Sequence, residues 1–248
     1  MASAKRALST ALGNLIGAHI IPKGHVTWNE EKFAADLFAA LEPDCIFDIG
    51  ANVGQFGTWL RKMGYRGTIL SFEPSPTIVE KLNRVAQSDE NWHVFPYAVG
   101  DINGTLPFNI MEHDVLSSFL SPSTDADAPF KKVNVVSETI DVPVKTLDTI
   151  YGELAARYVF KRPILKMDTQ GFDLKVTAGA GAAINNFLAI LSEVAVRRLY
   201  KDNPMLWESI EFFHNLGFDL LRLFPVHPRK ILNPLEFNCY LLRHDLAA

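Results

Sequence analysis

One stretch decides the fold: CIFDIGANVG, residues 45–54. An apolar run ends in the acid Asp48, and two glycines follow it, Gly50 and Gly54. Downstream, apolar side chains recur at helical spacing, at Phe56, Trp59, Leu60 and Met63. The pattern predicts a strand, a glycine turn that lets a ligand approach the backbone, and a helix whose N-terminus offers unpaired N–H groups. We therefore predict a nucleotide-type pocket at this turn.

The same alternation of strand and helix occupies most of the chain. A helix is predicted from Thr27, where Thr27 and Glu30 form a capping box, to Pro43. A second strand ends at Glu73, and Ser75 and Pro76 open the next helix. Further strands are predicted at 92–99, 163–168, 189–196, 218–224 and 237–242, with helices after residues 146, 171 and 203. This alternation predicts a doubly wound, mostly parallel α/β sheet.

The alternation is interrupted between residues 101 and about 146. Short alternating runs at 105–110, 133–137 and 140–144 predict a small antiparallel insertion, and residues 111–130 predict a mobile loop. We expect one domain over residues 27–248 that contains this insertion. Residues 1–26 form an N-terminal extension, predicted to hold a helix that packs on the domain or on a partner.

Composition narrows the class of protein. The chain has 248 residues, a hydrophobic fraction of 48% and a net charge of −4, typical of a globular protein and not of a nucleic-acid binder. The uncharged stretch 7–22 is too short and too polar to span a bilayer, so no stable membrane insertion is expected. Cys45 and Cys239 lie in apolar segments and are expected to be free thiols, which favours a reducing, cytoplasmic compartment.

Four predicted strands end in or near a carboxylate: Asp48, Glu73, Asp168 and Glu193. Ligands of doubly wound sheets bind beyond these strand ends. The Gly50-x-x-x-Gly54 spacing differs from the G-x-G-x-x-G of dinucleotide sites, and Asp48 would repel a pyrophosphate but attract the cationic groups of S-adenosylmethionine. Glu73 can accept hydrogen bonds from ribose hydroxyls. S-adenosylmethionine is thus favoured as the cofactor; a dinucleotide-dependent oxidoreductase and a non-catalytic module are the alternatives.

A set of short motifs resembles the FkbM-type methyltransferases. The motifs are FDIGANVG at 47–54, SFEP at 71–74, AVGD at 98–101, SSF at 117–119, VKTLD at 144–148, LKMDTQG at 165–171 and LSE at 191–193. The resemblance covers about residues 45–240 and departs at Asp173, where the family more often has Glu. It implies a class I, seven-stranded fold and methyl transfer from S-adenosylmethionine to a hydroxyl, often on a sugar or a natural product.

Several residues are predicted to contact the cofactor. Asp48 and Asn52 would anchor the turn or the ligand ammonium, although a helix cap and turn chemistry are the alternative roles. Ala98 and Val99 would face the adenine, or belong only to the core. Ser118, with its neighbour Ser117, would close the loop over the ligand. The full predicted set is Asp48, Gly50, Ala51, Asn52, Gly54, Glu73, Pro74, Ala98, Val99, Ser118 and Asp168.

Methyl transfer to a hydroxyl needs an aligned acceptor and a group that accepts its proton. The candidates are Asp168, Glu193 and His113. Asp168 and Glu193 could equally hydrogen-bond sugar hydroxyls and only orient them, and for His113 a solvated loop residue is favoured over a catalytic one. Lys166 alternates with Asp168 along its strand and is expected to pair with a carboxylate. No third metal ligand at suitable spacing is visible, so no metal is predicted.

The acceptor is expected to be a small molecule or a glycan, and its identity cannot be predicted. Residues 111–130 and the N-terminal segment would shape its pocket. The basic cluster Arg197, Arg198 and Lys201 would recognise a phosphate or carboxylate on the acceptor, or form a solvated helix face. Homo-oligomerisation is left open.

Overall fold

A computed structural model describes residues 28–123, 134–226 and 234–246. The predicted helix at 7–22, the Thr27 cap and the last part of the predicted loop at 111–130 lie outside these ranges. The strands are β1 Cys45–Ile49, β2 Thr68–Phe72, β3 Trp92–Phe95, β4 Ala98–Val99, β5 Gly104–Met111, β6 Val136–Lys145, β7 Pro163–Met167, β8 Ala189–Ala195, β9 Phe218–Pro225 and β10 Glu236–Arg243. The α-helices are α1 Trp28–Leu41, α2 Gln55–Met63, α3 Pro76–Ala86, α4 Leu147–Tyr158, α5 Asp173–Ala178 and α6 Leu206–Asn215.

The main sheet has seven strands in the order β3-β2-β1-β7-β8-β10-β9. Pairing is parallel throughout, except that β10 runs antiparallel to both of its neighbours. The predicted doubly wound, mostly parallel sheet is therefore confirmed. The order reverses between β1 and β7, so the carboxyl ends of these two strands flank the crevice where ligands of such sheets bind.

The core lies on both faces of this sheet. All five residues of β1 are buried, as expected for a central strand covered on both sides. Phe47 packs on one face against Phe160 and Phe187, with ring centroids 5.4 and 5.1 Å away. Its neighbour Ile46 faces the other side and belongs to the cluster that holds Leu60 of α2. Cys45 and Cys239 are buried free thiols, as predicted.

The insertion forms a separate three-stranded sheet in the order β4-β6-β5. The predicted strand at 92–99 is wrong in one respect, because it breaks after Phe95. The Tyr97 amide turns back to the Phe95 carbonyl (2.9 Å), and Ala98 then pairs with Val144 in the second sheet. β5 and β6 pair antiparallel, as the alternating runs predicted. Residues 98–99 thereby lie where the two sheets meet.

Helix boundaries follow local chemistry. The Thr146 hydroxyl accepts a hydrogen bond from the Thr149 amide (3.3 Å) and caps α4, as predicted. Gly64 ends α2 in the left-handed conformation, with φ of 97°. Across the described parts of the chain, the helices are too short or too polar for any of them to cross a bilayer.

Candidate active site

A cavity of about 400 Å³ opens at the carboxyl edge of the main sheet, within the size range of small-molecule sites. Its location confirms the prediction from the strand-end carboxylates. The predicted residues that line it are Gly50, Ala51, Asn52, Glu73, Pro74, Ala98, Val99, Asp168 and Glu193. We call the part near residues 50–54 and Glu73 the donor end, and the part near Asp168 and Glu193 the acceptor end.

The turn at residues 50–54 uses all its amide N–H groups internally. The amides of Gly50 and Ala51 donate to the Phe72 carbonyl (3.0 and 3.1 Å). The Asn52 amide donates to Glu73 Oε2 (3.0 Å), the Val53 amide to Asn52 Oδ1 (2.7 Å) and the Gly54 amide to the Ala51 carbonyl (2.9 Å). Residues 50–54 therefore offer no unpaired N–H group, whereas the prediction of unpaired N–H groups in the first turn of α2, which begins at Gln55, stays a prediction. A phosphate cradle needs such groups, so the turn does not suit the pyrophosphate of a dinucleotide.

The two glycines of the turn have different roles. Gly50 has φ of +72°, and a Cβ there would lie 2.1 Å from the Asp168 carbonyl oxygen, so the turn passes directly against the end of β7. Gly54, with φ of +86°, packs instead against Leu82 and Trp92. Gly54 does not line the cavity, so the structure gives its predicted contact with the cofactor no support.

Asp48 is fully buried beneath the cavity floor. It sits in register between Ser71 of β2 and Lys166 of β7, and it accepts hydrogen bonds from both, at 3.2 and 2.8 Å. The side chain of Lys166 is 12% exposed and lines the cavity, whereas that of Asp48 does not. The predicted contact between Asp48 and the ligand is therefore wrong, whereas the predicted pairing of Lys166 with a carboxylate is confirmed.

This ion pair also changes the electrostatic argument about the turn. Burial lowers the pKa of Lys166, but the carboxylates of Asp48 and Asp168 raise it, and the net pKa lies above the usual lysine value. The ammonium is thus charged and compensates Asp48. The repulsion expected between Asp48 and a pyrophosphate is correspondingly weak, and the internally paired amides of the turn are the stronger discriminator.

Glu73 links the turn to the end of β2. Its two carboxylate oxygens accept the amides of Asn52 (3.0 Å) and Ser75 (2.9 Å), and each oxygen keeps a lone pair for a ligand hydroxyl. Burial raises the pKa of Glu73 to about 7, against the lowering effect of these two amides. The residue that was predicted to hold the ribose is thus fixed by main-chain donors and faces the cavity.

The wall beside Glu73 is apolar. Ala98 and Val99 line the cavity together with Phe119, whose ring lies 4.6 Å from that of Phe172. Ser118 is buried and does not line the cavity, so its predicted contact with the cofactor is wrong. Its hydroxyl donates to the Gln170 carbonyl (2.8 Å) and thereby ties this loop to the acceptor end.

Gln170 organises the acceptor end. Its Nε2 donates to Asp168 Oδ1 (2.9 Å) and lies 3.4 Å from Glu193 Oε2, while its Oε1 accepts the Tyr200 hydroxyl (3.0 Å). Its φ of +53° is rare for a residue with a side chain and aims that side chain at both carboxylates. The structure brings Asp168 and Glu193 together, as predicted, but sequence reasoning gave Gln170 and Tyr200 no role.

The turn after β7 is held by Asp173. This buried carboxylate accepts the Thr169 amide (3.0 Å), the Thr169 hydroxyl and the Ser192 hydroxyl (2.5 Å). Burial raises its pKa. Asp173 therefore supports the residues around Asp168 from behind, and its side chain does not line the cavity.

A second carboxylate that sequence reasoning missed is Glu236, on β10. Its carboxyl lies beside that of Glu193 across the β8–β10 pairing, and each of the two groups affects the protonation of the other. Burial and the adjacent Asp168 and Glu236 raise the pKa of Glu193 well above its usual value. Burial raises the pKa of Glu236 to about 7. Both carboxyls of the pair therefore bind a proton more tightly than an isolated glutamate does.

The far wall comes from α1 and β10. Glu30 lines the cavity and accepts hydrogen bonds from Asn238 Nδ2 (2.8 Å) and the Tyr240 hydroxyl (3.1 Å). Its predicted capping box with Thr27 lies outside the described residues and stays a prediction, while its Oε1 reaches across to the sheet. Burial raises the pKa of Glu30. The spacing of Thr27 and Glu30 fits both roles, so sequence alone could not separate them.

His113, predicted as a candidate base, is exposed and does not line the cavity. The structure gives that prediction no support, because the short turn at Asp114–Leu116 presents the neighbouring Asp114 and Val115 to the cavity instead. Arg197, Arg198 and Lys201 are also exposed and lie outside the cavity lining. This exposure agrees with the alternative that these three residues are solvated and do not recognise a phosphate or carboxylate on the acceptor.

The sequence matches the family model described as the methyltransferase FkbM domain over residues 48–220. A comparison with curated proteins finds no match. Among solved structures, a protein from Listeria monocytogenes described as an S-adenosylmethionine-dependent methyltransferase is 9% identical, with a TM-score of 0.49 over 89% of this chain and 99% of that one.

Two similar structures contain bound S-adenosylmethionine. The magnesium protoporphyrin IX methyltransferase of Synechocystis is 11% identical, with a TM-score of 0.48 over 87% of this chain and 78% of that one. Aeropyrum pernix fibrillarin is 13% identical, with a TM-score of 0.43 over 85% and 74%. These likenesses are distant, so the assignment rests on the strand order and on the family match.

Proposed function

This chain belongs to the FkbM methyltransferase family and uses S-adenosylmethionine, and from that premise we propose that it transfers the methyl group to a hydroxyl of a sugar or secondary metabolite. The observation that carries the proposal is the placement of Asp168 and Glu193 at one end of the cavity, opposite Glu73. A carboxylate in that place can accept the hydroxyl proton.

The donor end suits the methyl donor. Ala98, Val99 and Phe119 offer an apolar surface to a purine, and the free lone pairs of Glu73 can accept ribose hydroxyls. The turn at 50–54 provides close backbone approach without a phosphate cradle. These features together disfavour the alternative of a dinucleotide-dependent oxidoreductase.

The acceptor end suits proton removal from an alcohol. As the acceptor oxygen bonds to the methyl carbon, the carbon–sulfur bond breaks, its electron pair stays on sulfur, and the hydroxyl proton passes to a carboxylate. We assign that base to Asp168, because burial and the neighbouring carboxylates raise the pKa of Glu193 well above its usual value, and a carboxyl that keeps its proton cannot accept another. Gln170 positions Asp168 through its 2.9 Å hydrogen bond.

The lining of the acceptor end favours an uncharged, hydroxyl-rich acceptor. Carboxylate, amide and phenol groups face the cavity from Glu30, Glu193, Asn238 and Tyr240, and each can exchange hydrogen bonds with sugar hydroxyls. Lys166 is the single basic side chain among the described lining residues, and Asp48 neutralises it. An acceptor with a phosphate or carboxylate would therefore meet repulsion at Asp168 and Glu193.

A two-stage experiment tests the proposal. Calorimetric titration with S-adenosylhomocysteine first measures occupancy of the donor end. A panel of sugars and hydroxylated metabolites, each paired with its deoxy or amino analogue, is then incubated with labelled S-adenosylmethionine and read by mass spectrometry. We expect the label on oxygen, in neutral polyols, with Asp168→Asn about 10²- to 10⁴-fold slower than the wild type. Label on nitrogen or carbon alone would overturn the assignment of the acceptor.

The proposed setting is the cytoplasm, which the two buried free thiols support because such thiols persist in reducing compartments. The proposed partner is the small-molecule or glycan acceptor. The net charge of −4 gives no support to a nucleic-acid substrate.

A further inference from the structure

Three metal-binding side chains converge at a corner of the main sheet, and none of them lines the cavity. His214 lies in the last turn of α6, Asp219 in β9, and His244 directly after β10. The methyltransferase function uses none of them. They are half-exposed or exposed, with side-chain exposures of 62%, 46% and 43% in chain order, so an ion can reach them from solvent.

Both histidine side chains point a ring nitrogen at the same carboxylate oxygen of Asp219. His214 Nδ1 lies 3.1 Å and His244 Nε2 3.2 Å from the same oxygen, Asp219 Oδ1, and all the ligand atoms lie within 4.8 Å of one another. Around a tetrahedral zinc ion with bonds of 2.0–2.1 Å, neighbouring ligand atoms are about 3.3 Å apart. The two separations from Asp219 already match such an ion, and the two imidazole nitrogens, at most 4.8 Å apart, would need only a side-chain adjustment to complete the set.

Main-chain hydrogen bonds hold the three residues in place. The His244 amide donates to the Gly217 carbonyl (2.9 Å), and the Gly217 amide donates to the His214 carbonyl (2.9 Å). Asp219 pairs in register with Leu242 across the β9–β10 ladder. The ligands thus come from three elements whose backbones are already fixed to one another, which reduces the entropy lost on metal binding.

We propose that His214, Asp219 and His244 bind one zinc-class divalent ion, with water as the fourth ligand. Two imidazole nitrogens and one carboxylate oxygen favour zinc, cobalt, nickel or copper over magnesium and calcium, which prefer oxygen ligands. The neighbouring Asp245 is engaged by Arg243 at 2.6 and 3.1 Å and is not part of the set. The ion would join the end of β10 to the α6–β9 turn.

Calorimetric titration with zinc chloride tests the proposal on the full-length, untagged chain after removal of metal by a chelator. We expect the wild type to bind zinc, and His214→Ala and His244→Ala each to lose one bound equivalent. His113→Ala is the matched control, because that histidine is exposed but lies outside the cluster, and it should bind as the wild type does. The melting temperature should rise with zinc only in the wild type and the control.

Asp219→Asn separates a metal site from a simple hydrogen-bonded cluster. The amide oxygen can still accept hydrogen bonds from both imidazoles, so stability without metal should stay near that of the wild type. As a neutral ligand it should weaken zinc binding at least about tenfold, the smallest loss typical even of outer-shell partners. Zinc binding that persists unchanged in His244→Ala or Asp219→Asn, or that is absent from the wild type, would overturn the proposal.

Discussion

The two ends of the cavity are built in different ways. At the donor end, main-chain amides fix the turn at 50–54 and both oxygens of Glu73. At the acceptor end, Asp168, Gln170 and Glu193 are fixed by side chains that bond to one another. Changes at the donor end should therefore alter the affinity for the methyl donor, and changes at the acceptor end should alter the rate. Both ends hold a carboxyl with a raised pKa, Glu73 and Glu193, so a pH response alone does not distinguish them.

The largest effect is expected from Asp168→Asn. Removal of a general base typically costs about 10²- to 10⁴-fold in rate, so kcat should fall within that range while the Kd of S-adenosylhomocysteine changes little. Steady-state kinetics and calorimetry on the same preparation measure both quantities. Asp141→Asn, an exposed carboxylate on β6, is the control and should be unaffected. A loss of donor affinity as large as the loss of rate would place Asp168 at the donor end instead.

Glu73→Ala should have the next largest effect, and of the opposite kind. Hydrogen bonds to a charged group contribute about 1.5–3 kcal/mol, so the Kd of S-adenosylhomocysteine should rise by about 10- to 100-fold. The rate at saturating donor should stay near that of the wild type. Glu80→Ala on α3, which removes an exposed carboxylate, is the matched control. Unchanged affinity in Glu73→Ala would refute the assignment of Glu73 to the ribose.

Glu236→Gln tests the interaction between the Glu193 and Glu236 carboxyls. The folded-state pKa of Glu236, about 7, exceeds its unfolded value near 4.5, so the folded state binds the extra proton between these pH values. The contribution of the Glu236 carboxyl to the free energy of unfolding is fully present below pH 4.5. It is lost as the pH rises through 7, by up to about 1.4 kcal/mol per pH unit. Denaturation with urea from pH 5 to pH 7 should therefore show a shallower decline in Glu236→Gln than in the wild type.

The same substitution should also shift activity. The new amide can donate to Glu193 and favour its ionised form, which fixes a negative charge beside the base Asp168, so the pH–rate profile should move toward higher pH. Glu73, whose pKa is also raised to about 7, gives the free energy of unfolding a similar pH dependence in the wild type and in Glu236→Gln. Its contribution therefore cancels when the two proteins are compared. Identical pH dependence in the two proteins would show that Glu193 and Glu236 do not affect each other's protonation.

Tyr200→Phe should have the smallest effect. It removes the hydroxyl that contacts Gln170 Oε1 (3.0 Å) and the Leu116 carbonyl (2.8 Å) but leaves the ring packing. A loss near 1 kcal/mol corresponds to about a fivefold decrease in kcat/KM, with donor affinity unchanged. A change in donor affinity alone would contradict the division of the cavity into two ends.

The donor end was largely predictable because its residues are close in sequence. The strand, the turn and Gly50 fall within ten residues, and Glu73 follows at the end of the adjacent strand. The errors came from orientation. Asp48 and Gly54 lie in the predicted strand and turn, next to residues that line the cavity. Asp48 nevertheless faces Lys166 and Gly54 faces Trp92, and the spacing of residues in the sequence does not determine either orientation.

The acceptor end was less predictable because it depends on strand order. Glu236 meets Glu193 only because β10 inserts antiparallel between β8 and β9, a pairing that no local pattern specifies. Glu30 reaches the cavity from a helix that precedes the sheet in the chain. Gln170 stands within a motif that the sequence made visible, but its role depends on a left-handed backbone conformation that is unusual for glutamine.

The internally bonded turn at residues 50–54 also bears on the entropy of binding. Fixing the backbone of one residue costs about 1–2 kcal/mol, and here the hydrogen bonds that fix it need no ligand. The methyl donor thus meets a preorganised surface and need not offset the ordering of a disordered loop. The affinity for the methyl donor should depend on side-chain contacts and desolvation alone. Because the turn is already formed, it does not require the methyl donor to bind before the acceptor.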